Sequence, residues 1–358
     1  MCYSLVHSLH QDMPIVQLAP SELNSPIVLA NGEAVSALKP SVLILGAGGR
    51  FCSAAIVAFA KAGWRVRAQT RKARADWPIG VEAVVVDAMQ SDALCCVAQG
   101  VDVVVNGINP LYTEWERLAR PLAANALAAA TAAKALLMFP GNVYNFSSAL
   151  PAELLPDTPQ VGNFSKARIR IEIEEQMRAA AAEGTNSVVV RAGEFFGGTG
   201  RGAWFDRVIV KSLGQGKIVY PGPSNVTHAW AYLPDLAETF VRLAERREQL
   251  SGASCFHFNG DGITGIELHK ALEKVSGRSL RLRPLQWLPI RLAAPFVPMA
   301  RAILEMQFLW RRPHTLNGDG LKQLLGEVPR TPLTLALAAA LRDLDLPVIE
   351  TAAVGIGA

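Results

Sequence analysis

The stretch from Ser41 to Arg71, SVLILGAGGRFCSAAIVAFAKAGWRVRAQTR, constrains this chain most. An apolar run, Val42 to Leu45, ends in Gly46-Ala47-Gly48-Gly49. A helix-like pattern follows and closes at Gly63, and a second strand-like run covers Trp64 to Ala68. Strand, glycine turn, helix and strand in that order open a Rossmann unit. Such a turn sets bare backbone N–H groups and a helix N-terminus where a pyrophosphate can rest, and the helix dipole favours the negative charge. Gly46 and Gly49 fit G-x-x-G, and Gly46 and Gly48 fit G-x-G; Cys52 stands where a third glycine belongs. The plain alternative is a tight turn with no ligand. On the first reading Gly46, Gly48 and Gly49, with Arg50 and Phe51 after them, are candidate cofactor-binding residues.

The end of the second strand bears on cofactor type. An Asp or Glu about 20 residues beyond the glycines bonds the ribose 2′-hydroxyl of NAD. Here the region reads Ala68-Gln69-Thr70-Arg71-Lys72-Ala73-Arg74, with no acid. Arg71, helped by Lys72 or Arg74, instead suits a 2′-phosphate, because the planar guanidinium matches phosphate oxygens. NADP is therefore expected over NAD, with NAD still possible; the alternative is a solvated basic turn.

With 358 residues, half of them hydrophobic, the chain can bury a large core. Its 35 basic and 31 acidic side chains are too evenly balanced to indicate nucleic acid. Five cysteines, Cys2, Cys52, Cys95, Cys96 and Cys255, form no CxxC pair, so no metal site is expected and a reducing cytoplasm is the plain reading. No run is long and apolar enough to span a bilayer. Trp287 to Trp310 comes nearest, interrupted by Arg291, Arg301 and Glu305, and reads as a buried amphipathic helix.

Strand-like runs recur at Ala83 to Val86, Val101 to Val105, Leu136 to Phe139 and Ser187 to Arg191, with helix-like stretches between most of them. Solid apolar strands alternating with helices imply a parallel sheet covered on both faces. Thr113-Glu114-Trp115-Glu116 has the capping-box spacing and predicts a helix start. Another helix is expected from about Ser165 to Glu183, ended by Gly184. On it, Arg168 with Glu172 and Arg170 with Glu174 are spaced to pair on the exposed face, and Ile169, Ile173 and Met177 make the buried stripe. The expected architecture is α/β: a Rossmann-type doubly wound parallel sheet with a smaller C-terminal substrate lobe. Residues 1–40 read as an extension and 41–192 as the dinucleotide-binding domain, with a return segment at 227–250. Residues 193–226 and 251–345 read as the substrate lobe.

These segments resemble the extended short-chain dehydrogenase/reductase superfamily, in its NAD-dependent epimerase/dehydratase branch, as an atypical member. The resemblance covers roughly Ser41 to Leu341. It implies that Asp87 and Ala88, in Val84-Val85-Val86-Asp87-Ala88, meet the adenine, and that Asn106 and Gly107 line the cofactor. Arg191-Ala192-Gly193-Glu194-Phe195-Phe196-Gly197 is similar to the motif R-x-x-N-x-Y-G and brings in Gly193; His228 to Asp235 is similar to the later H-V-x-D segment. The superfamily uses a Tyr acid four residues before a Lys, and a Ser near the end of the fifth strand. Lys166 occupies the Lys position and implies a ribose contact, but Gly162 stands four residues before it and the Ser position falls near Pro140.

Hydride transfer to a carbonyl leaves an alkoxide that needs a proton donor with a suitable pKa. Tyr144 is the candidate acid, and Asn142 a candidate partner of the substrate oxygen, with Ser147, Ser148, Tyr112 and Asn109 nearby. Glu194 reads either as a base facing the pocket or as a salt-bridge partner of Arg191 or Arg201. Two functions fit: an NADP-dependent oxidoreductase or epimerase acting on a small carbonyl or sugar-like substrate, or a non-catalytic NADP-binding sensor. A homodimer through the helices near residues 113–134 and 165–183 is implied by the resemblance alone. Arg71→Ala is expected to weaken NADP binding much more than NAD binding in calorimetry; equal loss would remove the 2′-phosphate reading.

Overall fold

A computed structural model describes residues 39–72 and 77–349 of the chain. Arg74, one of the expected phosphate partners, lies outside the described residues. The core element is a seven-stranded sheet in which every pairing is parallel. Its first strands are β1 (Ser41–Leu45), β2 (Arg65–Thr70), β3 (Val81–Val85), β4 (Val103–Asn106) and β5 (Leu136–Gly141). The strands Ser187–Arg191 and Ala253–His257 complete it. Across the sheet the order runs Ala253–His257, Ser187–Arg191, β5, β4, β1, β2, β3. The chain leaves β1 toward β2 on one side and β4 toward β5 on the other, so the order reverses between β1 and β4. This is a Rossmann-like α/β fold with its switch point at Gly46 and Gly107.

The central strands form where β-branched and other apolar residues run without interruption, because both faces are covered, whereas β2 and β3 toward one edge carry charged and exposed positions. β1, β4 and Ser187–Arg191 are buried at every position. The two-residue period of a strand then sorts side chains between two cores. Val42 and Ile44 of β1 join Val103, Val105, Val188 and Val190 in one core. Leu43 and Leu45 join Val104, Leu137, Phe139 and Val189 in the other. Helices α1 (Arg50–Lys61) and α5 (Leu233–Glu245) pack together on the first face, with Phe51 and Phe240 edge to face at 4.8 Å. Helices α2 (Ser91–Ala98), α3 (Trp115–Ala133) and α4 (Ser165–Ala182) cover the second. α4 buries Ile169, Ile173 and Met177, the expected stripe, and Gly184 after it has φ +93°.

Local details differ from expectation. The Thr113–Glu116 capping box does not form: α3 starts at Trp115 after a 3-10 turn, and no side chain caps it. Glu116 instead takes the Ser165 hydroxyl and Arg120. Neither expected pair on α4 forms. Glu172 pairs with Arg120 of α3, and Arg168 points to the Gly162 carbonyl. Arg170 and Glu174 are buried, not exposed. Trp287 to Trp310 is not one buried helix: Trp287–Ala293, Pro298–Leu304 and a 3-10 turn at Glu305–Trp310 divide it. No helix among the described residues is long and apolar enough to cross a membrane.

Apart from Ala253–His257, which returns to the central sheet, the chain beyond Ala192 builds smaller sheets. Thr227–Tyr232 pairs with Glu194–Phe196 and Asp261–Thr264, and Lys217–Tyr220 pairs with Arg281–Pro284. A capping box does form on helix α6 (Gly265–Ser276), between Thr264 and Glu267. An aromatic layer of Phe196, Phe205, Trp230 and Trp310 fills this part, with His228 stacked on Trp310 at 4.2 Å.

At the switch point, the Cys52 thiol sits in the space of the absent third glycine and reaches the Leu45 carbonyl at 3.2 Å. A Cβ on Gly107 would lie 2.2 Å from that sulfur. Gly107→Ala is expected to cost about 1–3 kcal/mol of stability by overpacking. Adding Cys52→Ala should return most of it; a Gly107→Ala chain that unfolds in denaturant like the wild type would refute the contact.

Candidate functional site

The glycine turn is held open from behind. Gly46, at φ +80°, donates its N–H to the Gln69 side-chain oxygen at 2.9 Å, and Ala47 donates to the Gln69 carbonyl at 2.9 Å. A Cβ on Gly46 would approach the Ile108 backbone to 3.0 Å. Gln69 is buried and also bonds the Val86 carbonyl at 2.6 Å, so one amide ties the turn to β2 and to the end of β3. Helix α1 has no side-chain cap and no acid in its first turn. Its first intrahelical bond comes from Ser53 to the Gly49 carbonyl at 2.8 Å, so the amides of Arg50, Phe51 and Cys52 are first-turn donors without a helical acceptor.

The fold brings Gly46, Gly48, Gly49, the amides of Arg50 and Phe51, Asn106 and Gly107 together at the β1/β4 switch point. The Gly107 N–H bonds the Leu45 carbonyl at 3.2 Å, and the Asn106 side-chain oxygen takes the Ile108 N–H at 3.3 Å. Arg71 is exposed just past β2, and Asp87 is exposed just past β3, where its carboxylate takes the Met89 N–H at 3.0 Å. Ala88 is buried, and its carbonyl takes the Asn125 amide at 2.9 Å. Gly193 packs tightly: a Cβ there would lie 2.3 Å from the Ala229 carbonyl oxygen. Two side chains turn away from the loop. Phe51 goes into the core, and Arg50 reaches the Gly197 carbonyl at 2.6 Å and the fully buried Asp206 at 3.0 Å. That pair ties the start of α1 to the Phe205–Ile209 turn, and nothing in the sequence spacing announces Asp206 as the partner.

The groups expected to carry chemistry gather over the ends of β4 and β5, but in engaged states. The Tyr144 and Tyr112 hydroxyls share a 2.7 Å hydrogen bond. Burial pushes Tyr144 well above the usual tyrosine range, and burial lifts Tyr112 to about 12. Asn142 turns its side-chain oxygen to the Tyr144 N–H at 2.9 Å. Lys166 is 4% exposed and paired with Glu305, with its ammonium 5.3 Å from the Tyr112 ring centre. Arg170 lies over the rings of Trp115 and Phe139, at 4.9 and 4.8 Å, and burial lowers it to about 10.

Glu194 is the exception. It pairs with neither Arg191 nor Arg201: Arg191 bonds Glu174 at 2.8 Å and Arg201 bonds the Leu344 carbonyl at 3.0 Å. Glu194 accepts one long bond, 3.4 Å, from the Trp204 N–H. Desolvation raises it to about 7; Asp206 adds to the rise, and the Trp204 amide and Arg50 oppose it. Its charge adds a smaller rise to Tyr112 and Tyr144, after their burial.

The buried Glu174–Arg191 pair braces the wall behind. Glu174 also accepts from Asn145 and Gln160, each at 3.0 Å, and Arg191 donates to the Asn142 carbonyl at 2.7 Å. Burial opposes ionisation of Glu174, but Arg191 and these donors outweigh it and hold it below the ordinary range. His228, at the start of the H-V-x-D-like segment, is buried, and desolvation drives it well below the ordinary histidine value. It is neutral at physiological pH.

The family model described as the NmrA-like family matches residues 39–324. No curated protein sequence matches the chain. Among solved structures, MoeE5 in complex with UDP-glucose and NAD is similar at TM-score 0.68 and 14% identity, covering 86% of this chain and 98% of that one. UDP-glucuronic acid 4-epimerase from Bacillus cereus, with UDP-glucuronic acid and NAD, is similar at TM-score 0.68 and 16% identity, over 85% and 99% of the two chains. DesIV, a dTDP-glucose 4,6-dehydratase from Streptomyces venezuelae, is similar at 0.64 and 17% identity, over 85% and 97%.

The raised pKa of Glu194 has a thermodynamic sign. The folded chain holds this proton more tightly than the unfolded one, so the associated stability is present below the ordinary carboxylate range and is lost as pH rises toward 7. Glu194→Gln removes that loss. Its melting temperature relative to wild type is expected to rise between about pH 5 and pH 8; a constant difference would mean that Glu194 titrates normally.

Proposed function

The chain belongs to the NmrA-like family, and on that premise we propose that it binds a nicotinamide dinucleotide, NADP before NAD, for redox chemistry on a small carbonyl or sugar-like substrate. The observation that carries this reading is the uncapped, acid-free start of α1 against a glycine turn at the switch point. Those donors fit a diphosphate, and glycine at position 46 lets the turn pack tightly against the Ile108 backbone with φ at +80°. Gly46, Gly48 and Gly49 with the Arg50 and Phe51 amides would hold the diphosphate. Asp87 and Ala88 would meet the adenine, Arg71 the 2′-phosphate, and Asn106, Gly107 and Lys166 the nicotinamide side. The solved neighbours hold NAD with nucleotide sugars, which supports the same ligand classes here.

A bound nicotinamide supplies or receives the hydride. The chain's own task is the proton on the substrate oxygen. Glu194, poised near neutrality, gives and takes a proton at physiological pH better than Tyr144, whose hydroxyl keeps its own. Tyr144 remains the alternative acid, acting through the Tyr112 bond. The second reading, a non-catalytic NADP sensor, is favoured by one observation: the Lys166 ammonium is already neutralised by Glu305.

NADPH oxidation against a carbonyl panel separates these readings. Turnover is expected, with Glu194→Gln lowering kcat by about a hundredfold and Tyr144→Phe by less than about tenfold. Retained turnover in Glu194→Gln would return the proton to Tyr144. Tight NADP binding without turnover on any carbonyl would favour the sensor.

A further inference from the structure

The helix pair Trp287–Ala293 and Pro298–Leu304 is anchored on one side only. Its inner side is secured by the Trp287 indole, which donates to the Pro221 carbonyl at 2.8 Å, and by buried Ala300, Ala302 and Met306. A helix packed on one face ordinarily turns polar residues outward. This pair turns out Leu288, Leu292, Phe296 and Val297, which are 64, 67, 86 and 45% exposed. Leu288 and Leu292 are one turn apart on the same helix face, and Phe296 and Val297 form the tip that joins the two helices.

Along the chain, the charge on and beside this pair is almost all of one sign. Residues 281–312 contain six arginines, at 281, 283, 291, 301, 311 and 312, and one carboxylate, Glu305. Glu305 is committed to Lys166. All six arginines are exposed, and among the described residues none pairs with a carboxylate. Arg291, one turn on from Leu288, flanks this face, and its guanidinium bonds the Gln307 side chain at 3.1 Å.

We propose that this helix pair is a membrane-surface anchor, seating Leu288, Leu292, Phe296 and Val297 among the acyl chains of an anionic bilayer while the arginines meet lipid phosphates. Interfacial helices combine an apolar face with a basic rim and insert to shallow depth, and polybasic rims add affinity for anionic lipid. A second copy of the chain is the weaker fit. A two-fold contact through the same face would set the arginine rim against itself, and like charges repel. The anchor does not depend on the cofactor reading and is measured separately from it.

Cosedimentation of the full-length chain with vesicles tests the anchor. Pelleting is expected with phosphatidylcholine containing about a third phosphatidylglycerol, far less with phosphatidylcholine alone, and less again as salt is raised. Leu292→Ser with Phe296→Ser should lower the bound fraction at least about fivefold with an unchanged melting temperature. Arg291→Glu with Arg301→Glu should do the same without touching the apolar face, which guards against a folding defect in the first variant. Absence of pelleting by the wild type overturns the anchor, whether the face is taken by a second copy or by another segment of the chain. So does pelleting that neither double variant changes.

Discussion

Three backbone amides at the start of α1 govern the design of the sheet's carboxyl edge. They have no helical acceptor, and neither a side-chain cap nor an acid competes for them. Leaving them exposed to a ligand requires the loop before them to be rigid without filling the space in front. Gln69 meets that need from behind, taking the Gly46 N–H and bonding the Val86 carbonyl, so the turn is braced from the β2 side. Gly107 and Cys52 set how closely the two halves of the sheet approach there.

Buried charges then position the rest of the cleft. Arg50 starts α1 but sends its guanidinium to Asp206 and the Gly197 carbonyl, fastening the later segments across the glycine turn. Glu174 and Arg191 do the same behind the loop that carries Tyr144, and removing one member of such a pair leaves an uncompensated buried charge. With every neighbouring basic group already committed, Glu194 is left with a single long backbone bond. Burial is what raises its carboxyl toward neutrality, and Asp206 adds to the rise.

The middle of the sheet was legible because β1, β4, β5 and Ser187–Arg191 are apolar runs, and the run at Ser187–Arg191 matches to the residue; Ala253–His257, with Ser254 and Cys255 in it, carried no such run. The glycine turn was legible because positive φ and close approach leave few residues to choose from. Charge pairing was not. The i, i+4 spacing of Arg170 and Glu174 says that they share a helix face, but not that the face is buried, because Arg191 comes from a strand. Gln69 and Glu305 had no local pattern at all, and Asp206, which takes the nearby Gly202 and Ala203 amides, finds its ion partner Arg50 far along the chain. The Trp287–Trp310 stretch misled in the other direction: its apolar content read as burial, whereas the short helices leave much of it facing outward.

Titration calorimetry of the purified, ligand-free chain with NADP and with NAD measures the central claim most directly. A diphosphate resting on the α1 amides predicts saturable binding of both, tighter for NADP. No detectable association with either dinucleotide would contradict the account at its foundation.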